Sequence, residues 1–309
     1  MKKIFFLMAV IYSIASYSQN ADTTKVWTKG GKVGINASEV GFYNWAKGGD
    51  NNVAGTSYIN LFANRNLNGW SWENKLDLEY GLKRENKEIW KKTDDRLEFN
   101  TKLGKQSSIE NWFYTAYLNF KTQFDKGFDY DASETISISD FMAPGYLTLG
   151  PAADYKPNEY FSAMISPAAY KATFVLDQRL ADQGEFGVKK AEYQIVGTDT
   201  TKIKNGQTLR HEVGANLVLS FKKDIFKNVN LDTKLDLFSN YLENPQNIDV
   251  DWQMAITMKV NSFLNVLFKT HLIYDDDTKV EWTESNGTIH NSAITQFKQS
   301  LSVGLMYNF

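Results

Sequence analysis

Trp70-Ser71-Trp72-Glu73-Asn74-Lys75-Leu76-Asp77-Leu78-Glu79-Tyr80-Gly81-Leu82-Lys83 is the stretch on which the fold turns. Trp70, Trp72, Leu76, Leu78, Tyr80 and Leu82 share one parity. Ser71, Glu73, Lys75, Asp77, Glu79 and Lys83 share the other. That is a period of two, the signature of a strand with one apolar and one polar face. A helix drawn through it would scatter the charges around its circumference.

The pattern recurs outward from there. Ile248, Val250, Trp252, Met254, Ile256, Met258 and Val260 alternate with Asp249, Asp251, Gln253, Lys259 and Asn261. Leu97, Phe99 and Leu103 alternate with Arg96, Glu98 and Lys102, and Leu231, Leu235 and Leu237 with Asp232, Lys234 and Asp236. The runs reach about 10–14 residues, whereas strands of soluble sheets centre on about 5–6. A tilted strand crossing a bilayer needs roughly 9–11. Trp70, Trp72, Trp112, Tyr114, Tyr241 and Tyr274 lie at the ends of apolar faces, as interfacial girdles require. Closure of such a sheet is compulsory in lipid, where an open edge has no water to bond to. The expected fold is an all-β, antiparallel, up-and-down transmembrane barrel with both termini in the periplasm.

Twelve strands are expected, centred near residues 38, 59, 76, 99, 118, 149, 165, 216, 235, 254, 269 and 302. Pro151, Pro157 and Pro167 interrupt the alternation from Tyr146 to Val175, which leaves ten or fourteen strands open. The connections 67–69, 106–111, 156–159, 223–228 and 261–263 are short, and those between them are mostly long. Barrels of the outer membrane have short periplasmic turns and longer outer loops. The last strand places Phe297, Leu301, Val303, Leu305, Tyr307 and Phe309 on one face. A terminal aromatic resembles the signal read by the outer-membrane barrel-assembly machinery.

The composition agrees once this is seen. The 309 residues are 42% hydrophobic, 23% charged and 14% aromatic, with 5 Pro and no Cys, and a mean hydropathy of −0.42. A barrel shows only alternate residues to lipid, so a hydrophilic average is compatible with a membrane protein. The absence of Cys excludes disulfide scaffolds, thiolate metal sites and cysteine catalysis. The formal charge of −2 gives no basic footprint for nucleic acid.

Lys2 and Lys3 precede an apolar run from Ile4 to Ile14, with Ser16 and Ser18 before Gln19. This reads as a signal peptide over residues 1–18, cleaved to leave a single barrel domain over 19–309. Loss of the two lysines takes the formal charge to −2 − 2 = −4. Gln19 to Lys29 reads as a polar tail. The expected location is the outer membrane of a Gram-negative cell, in contact with its lipid and lipopolysaccharide.

Phe42-Tyr43-Asn44-Trp45-Ala46-Lys47-Gly48-Gly49-Asp50-Asn51 resembles the Asn-Trp-x-x-Gly-Gly-x-Asn signature of a Bacteroidota family catalogued as domain of unknown function 3078. Phe141-Met142-Ala143-Pro144, Tyr155-Lys156-Pro157-Asn158, Gly184-Glu185-Phe186-Gly187-Val188 and Tyr274-Asp275-Asp276-Asp277 are similar to it as well. The resemblance implies an outer-membrane barrel and no reaction. It marks Asn44, Trp45, Gly48, Gly49 and Asn51 as a signature loop.

Chemistry is sparse. His211, His271 and His290 have no metal-ligand spacing, and no nucleophile motif is present. Neither a cofactor nor an enzymatic activity is expected. Asp275-Asp276-Asp277 reads as a solvated hairpin end, with a divalent-ion site as the alternative. The informative set is the charged inner face: Glu73, Lys75, Asp77, Glu79, Arg96, Glu98, Lys102, Asp232, Lys234, Asp236, Asp249, Asp251, Lys259 and Lys269. Its mixed signs suit a narrow porin-like or transport-related barrel for small hydrophilic solutes, with slight cation preference. A structural or receptor barrel working through its long loops is the alternative, and a lipid-active enzyme using His211 or His271 is a third.

Overall fold

The structure, a computed structural model, describes residues 26–42, 50–130, 135–196, 199–278, 280–284 and 287–309. The segment read as a signal peptide and signature residues Asn44, Trp45, Gly48 and Gly49 lie outside the described residues. Twelve antiparallel strands close into one barrel. They are β1 (Trp27–Val40), β2 (Asn52–Leu67), β3 (Trp70–Glu85), β4 (Lys91–Gln106), β5 (Trp112–Thr122) and β6 (Gly145–Asn158). The second half comprises β7 (Phe161–Phe174), β8 (Leu209–Phe226), β9 (Val229–Asn240), β10 (Ile248–Lys259), β11 (Leu264–Tyr274) and β12 (Gln296–Asn308). Each strand pairs with its sequence neighbours, and β12 returns to β1.

Eleven of the expected strand centres fall within about three residues of the observed ones. The exception is β1, which starts at Trp27 and so includes part of the expected polar tail. Its first half is Gly- and Lys-rich, so it shows no alternation. What holds it is pairing: Gly31 N–H donates to Phe309 O (2.9 Å) and Phe309 N–H to Gly31 O (3.0 Å).

The two ends of the barrel differ. At one end, Asn68-Gly69, Ser107–Asn111, Glu159-Tyr160, Lys227-Asn228 and Val260–Phe263 join the strands. Three of these turns carry a left-handed asparagine, Asn68 (φ 52), Asn111 (φ 64) and Asn228 (φ 65), a conformation asparagine tolerates better than most residues. The other end carries the long connections. Two of these pack together: Ala143, from the connection after β5, joins Val175, Leu180, Ala181 and Val188, from the connection after β7, in a small core. The second connection holds helix α1 (Gln178–Gln183), capped by the Asp177 side chain, which accepts from the Arg179 and Leu180 amides. Asp182 of α1 accepts from Lys202 Nζ (2.6 Å), Gly206 N–H (2.8 Å) and Gln178 Nε2 (2.8 Å). Those bonds, the one from Lys202 first, hold its carboxyl down at about 2. The same bond raises the Lys202 ammonium.

The wall is inside-out relative to a soluble protein. Phe99, Leu103, Ile165, Val213, Trp252 and Leu301 are exposed on the outside, while Asp77, Glu98, Asn119, Asp154, Glu212 and Asn216 are buried inside. At the short-turn end the outside carries a belt of rings: Trp27 against Trp72 (5.4 Å) and Trp112 against Tyr155 (5.1 Å). Lys105 lies 5.2 Å from the Trp70 ring and Lys223 4.2 Å from Tyr160.

The Pro-rich stretch is two strands of 14 residues each. Lys171 and Ala169 face inward opposite Glu212 and Gly214, whereas Ser166 and Met164 face inward opposite Asn216 and Val218. The inward parity therefore changes from odd to even at Pro167-Ala168. This is a bulge, one extra residue that reverses which side chains point in, and it explains why no clean alternation is legible there.

Candidate functional site: the charged lumen

Same-parity residues of distant strands meet one another, which only the inside of a barrel permits. Near the short-turn end, Lys102 lies 3.4 Å from Glu73 and 3.0 Å from Asp154. Lys156 pairs with Asp154 (3.3 Å) and with Glu73. This ring links β3, β4 and β6.

At mid-height two carboxylates act as hubs. Glu98 accepts from Asn119 (2.9 Å), Asn100 (3.1 Å) and Lys234 (3.3 Å), with Arg96 at 3.5 Å. Asp251 faces Lys121 (2.7 Å), His271 Nε2 (2.9 Å) and Gln253 Nε2 (3.0 Å). Lys75 pairs with Asp77 (2.9 Å), and Lys269 with Glu79. Lys234 lies 3.8 Å from Asp236.

Several of these contacts cross the lumen. Arg96 on β4 donates to Gln253 on β10 over 2.7 Å, and these strands are opposite in a ring of twelve. Lys121 to Asp251, Lys234 to Glu98 and Lys269 to Glu79 also join non-neighbouring strands. Side chains thus meet across the full width of the barrel at this level. Desolvated carboxylates of this kind are held by the cations and amides paired with them, although Asp154 Oδ1 is buried with no hydrogen-bond partner among the described residues.

Toward the long-loop end, Lys171 sits between Asp249 (2.7 Å) and Glu212 (3.8 Å). Arg210 ties Glu212 (3.7 Å) to Glu243 (3.3 Å) and Asp277 (2.6 Å), hence to two loops. Gly187 (φ +78) packs on Arg210 and Asp277, so the long connection after β7 lies over the mouth.

Of the expected set, Lys259 and Asp232 stand apart from the buried hubs. Lys259 is exposed at the short-turn end, and Asp232 pairs with Lys222 over 3.6 Å. The sequence reading missed Lys121, Asp154, Lys156, Lys171, Arg210 and Lys298. Parity could have found Lys121, which follows Thr115, Tyr117 and Asn119 on the inner face of β5. Lys171 was hidden by the bulge.

The remaining candidates have plain surroundings. Asn51 Oδ1 accepts from the Phe42 amide (2.6 Å), and the Asn51 amide donates to Asn86 Oδ1 (3.0 Å), tying the β1–β2 connection to the β3–β4 turn. Each carboxylate of the Asp275–Asp277 run has a partner: Asp275 takes the Asp277 amide (2.9 Å), Asp276 takes Asn247 (2.6 Å) and Asp277 takes Arg210. His211 Nδ1 and Tyr170 Oη lie 2.5 Å apart on the outer wall. His290 belongs to the small hairpin Val280–Thr283/Ile289–Ser292.

The model of a family described as "Protein of unknown function (DUF3078)" matches residues 37–128, which bears out the resemblance over that stretch. No curated protein matches the sequence. Among solved structures, the chain is similar to an outer membrane channel from Pseudomonas putida F1. The identity is 11%, with 94% of this chain and 100% of that one covered, at a TM-score of 0.39. It is also similar to the translocator domain of the autotransporter NalP from Neisseria meningitidis (8% identity, 100% and 96% covered, TM-score 0.35). OmpF of Salmonella typhi is a third (10%, 92% and 97%, 0.27).

Proposed function

We propose that this chain is an integral outer-membrane barrel of a Gram-negative, Bacteroidota-type cell, acting as a narrow channel for small hydrophilic solutes. The observation that supports this is the inversion of polarity: an apolar outer wall with an aromatic belt around a polar, charge-lined interior. The short turns then face the periplasm with both termini, the signal peptide directs export, and Phe309 engages the assembly machinery. Outer-wall residues contact lipid, and the long-loop end contacts lipopolysaccharide.

The bridged lumen makes this a restricted pore. Passage requires Lys234, Lys269 and Arg96 to swing from their partners, and a hydrated solute competes for them. Mixed charges give weak selectivity. In planar bilayers the protein is expected to give small or infrequent current steps, enlarged in the Lys234→Ala/Lys269→Ala variant. A folded barrel silent in both forms would falsify the channel reading.

One observation favours a second role. Tyr193, Ile195, Val196 and Ile203 are all exposed on the hairpin Glu192–Val196/Asp199–Lys204 of the long connection after β7. An apolar hairpin of this kind suits a protein partner. Deleting the hairpin would abolish co-purification of such a partner and leave conductance intact.

A further inference from the structure

The closing seam is only half paired. β1 and β12 are in register over six pairs from Lys32↔Asn308 to Ala37↔Val303, and the exchange of hydrogen bonds between Gly31 and Phe309 extends that ladder at its lower end. Beyond these, Gln296 to Ser302 still pair with β11, from Ile273↔Gln296 to Leu267↔Ser302. On the other side, β1 still pairs with β2 up to Val40↔Asn52. Among the described residues, then, Ser38–Val40 have no register partner on β12 and Gln296–Ser302 none on β1, and the two stretches face each other across a gap in the wall.

Exposure says the same independently. Asn36 and Gly304, the last inward pair of the closed part, are buried. Above them every residue from Ala37 to Val40 and from Gln296 to Leu301 is exposed, whichever way it points. Elsewhere in the barrel, inward residues such as Glu79, Asp94, Asp249 and His271 are half-buried, and Gly81, Glu212 and Asn240 are buried.

We propose that this gap is a lateral opening which admits the head group of a membrane phospholipid into the barrel wall. Its outer rim is apolar, with Phe297, Leu301 and Val303 exposed, and would hold acyl chain. Its inner rim is polar, with Ser38, Ser300 and Lys298. Lys298 reaches behind the gap to Thr93 O (2.6 Å) and Asp94 Oδ1 (2.5 Å) on β4, and so fences a niche from the main lumen. Unpaired strand edges cannot face hydrocarbon alone; a head group with its water supplies donors and acceptors for them. An inserted peptide strand fits less well. The free edge of β1 is only Ser38–Val40, so most of such a strand would pair on one side only.

The inference rests on membrane placement of the barrel, not on axial conduction. The native chain has no Cys, so engineered cysteines report cleanly. The pair Glu39→Cys/Leu301→Cys spans the gap, and Ile35→Cys/Leu305→Cys spans the closed seam at the same register and orientation. The seam pair is expected to form a disulfide spontaneously and the gap pair not. In nanodiscs of phosphatidylethanolamine and phosphatidylglycerol, a bimane on Ser302→Cys is expected to be quenched several-fold more than one on Ser220→Cys of the inner wall, four strands away on β8. The quencher is a phosphatidylcholine with a head-group nitroxide. Equal quenching at both sites, or a gap pair that oxidises as readily as the seam pair, would overturn the proposal, as would a protein captured at the gap. Failure to enter nanodiscs would instead sink the membrane placement itself.

Discussion

The wall from β3 to β10 and the seam between β1 and β12 are built on the same alternation but end in opposite states. In the first, the carboxylate hubs are buried against named partners, Glu98 with Lys234 and Arg96, Asp154 with Lys102 and Lys156. In the second, most inward residues are Ser, Gly, Asn and Gln, and above Asn36 it is Lys298 that reaches across the lumen, to Asp94. The difference teaches that closure here is carried by the lumen as much as by the ladder. Where long charged side chains bridge the interior, the strands are held together from inside. Where short polar ones face it, only the ladder holds, and it stops halfway.

The largest expected effect that tests this contrast is Glu98→Ala. It strands Lys234 and Arg96 in a desolvated interior, a loss of about 3–5 kcal/mol, read as a lower midpoint in denaturant-driven unfolding from micelles. The equivalent change at the seam, Ser300→Ala, is expected to leave the midpoint in place. Next is a charge on the outer wall. Phe99→Arg is expected to cost about 2–4 kcal/mol if that position meets mid-bilayer lipid. Ser300→Arg, facing the open niche, is expected to be near neutral in the same assay, and an equal loss would erase the distinction.

Glycine substitutions sharpen it further. A Cβ on Gly214 would collide with the Ser239 carbonyl of the neighbouring strand; Gly214→Ala should therefore cost about 1–3 kcal/mol. A Cβ on Gly55 meets only the Asn36 carbonyl at 3.8 Å, an ordinary contact, so Gly55→Ala near the gap is expected to leave unfolding unchanged.

The smallest effect lies outside the wall. The Asp182 carboxyl is held at about 2, below the unfolded value of about 3.9. A depressed folded value contributes stability above the unfolded value, and that contribution is lost as pH falls through the folded one. Proteolysis of the long connection after β7 is therefore expected to quicken between about pH 4 and 2, and Asp182→Asn to remove that step. An unchanged pH profile in Asp182→Asn would show that other groups set it.

The outline of this barrel was legible because parity is a local property. Trp70 to Lys83 declares its two faces without reference to any other strand, and the turn at Asn68-Gly69 declares its hairpin. The lumen contacts were not legible in the same way. Lys234 meets Glu98, and Lys121 meets Asp251, because strand number and stagger set which inward residues oppose each other; neither is written in any one strand. Parity also fails wherever a bulge resets it, which is why Lys171 escaped notice beside Pro167. The half-open seam was hidden for a further reason: β12 alternates cleanly to its end and gives no hint that its pairing with β1 stops at Ala37.

The short-turn hairpins bear on how such a wall is made. Ten of the twelve strands are joined in pairs by connections of two to five residues, so each pair can zip with little loop-closure entropy. The pairing of β1 with β12 alone brings together opposite ends of the chain. Low contact order favours fast assembly of everything but that step. The chain should therefore curl as a nearly finished ribbon whose rim-to-rim encounter comes last, and six residue pairs are a short clasp for so late an event.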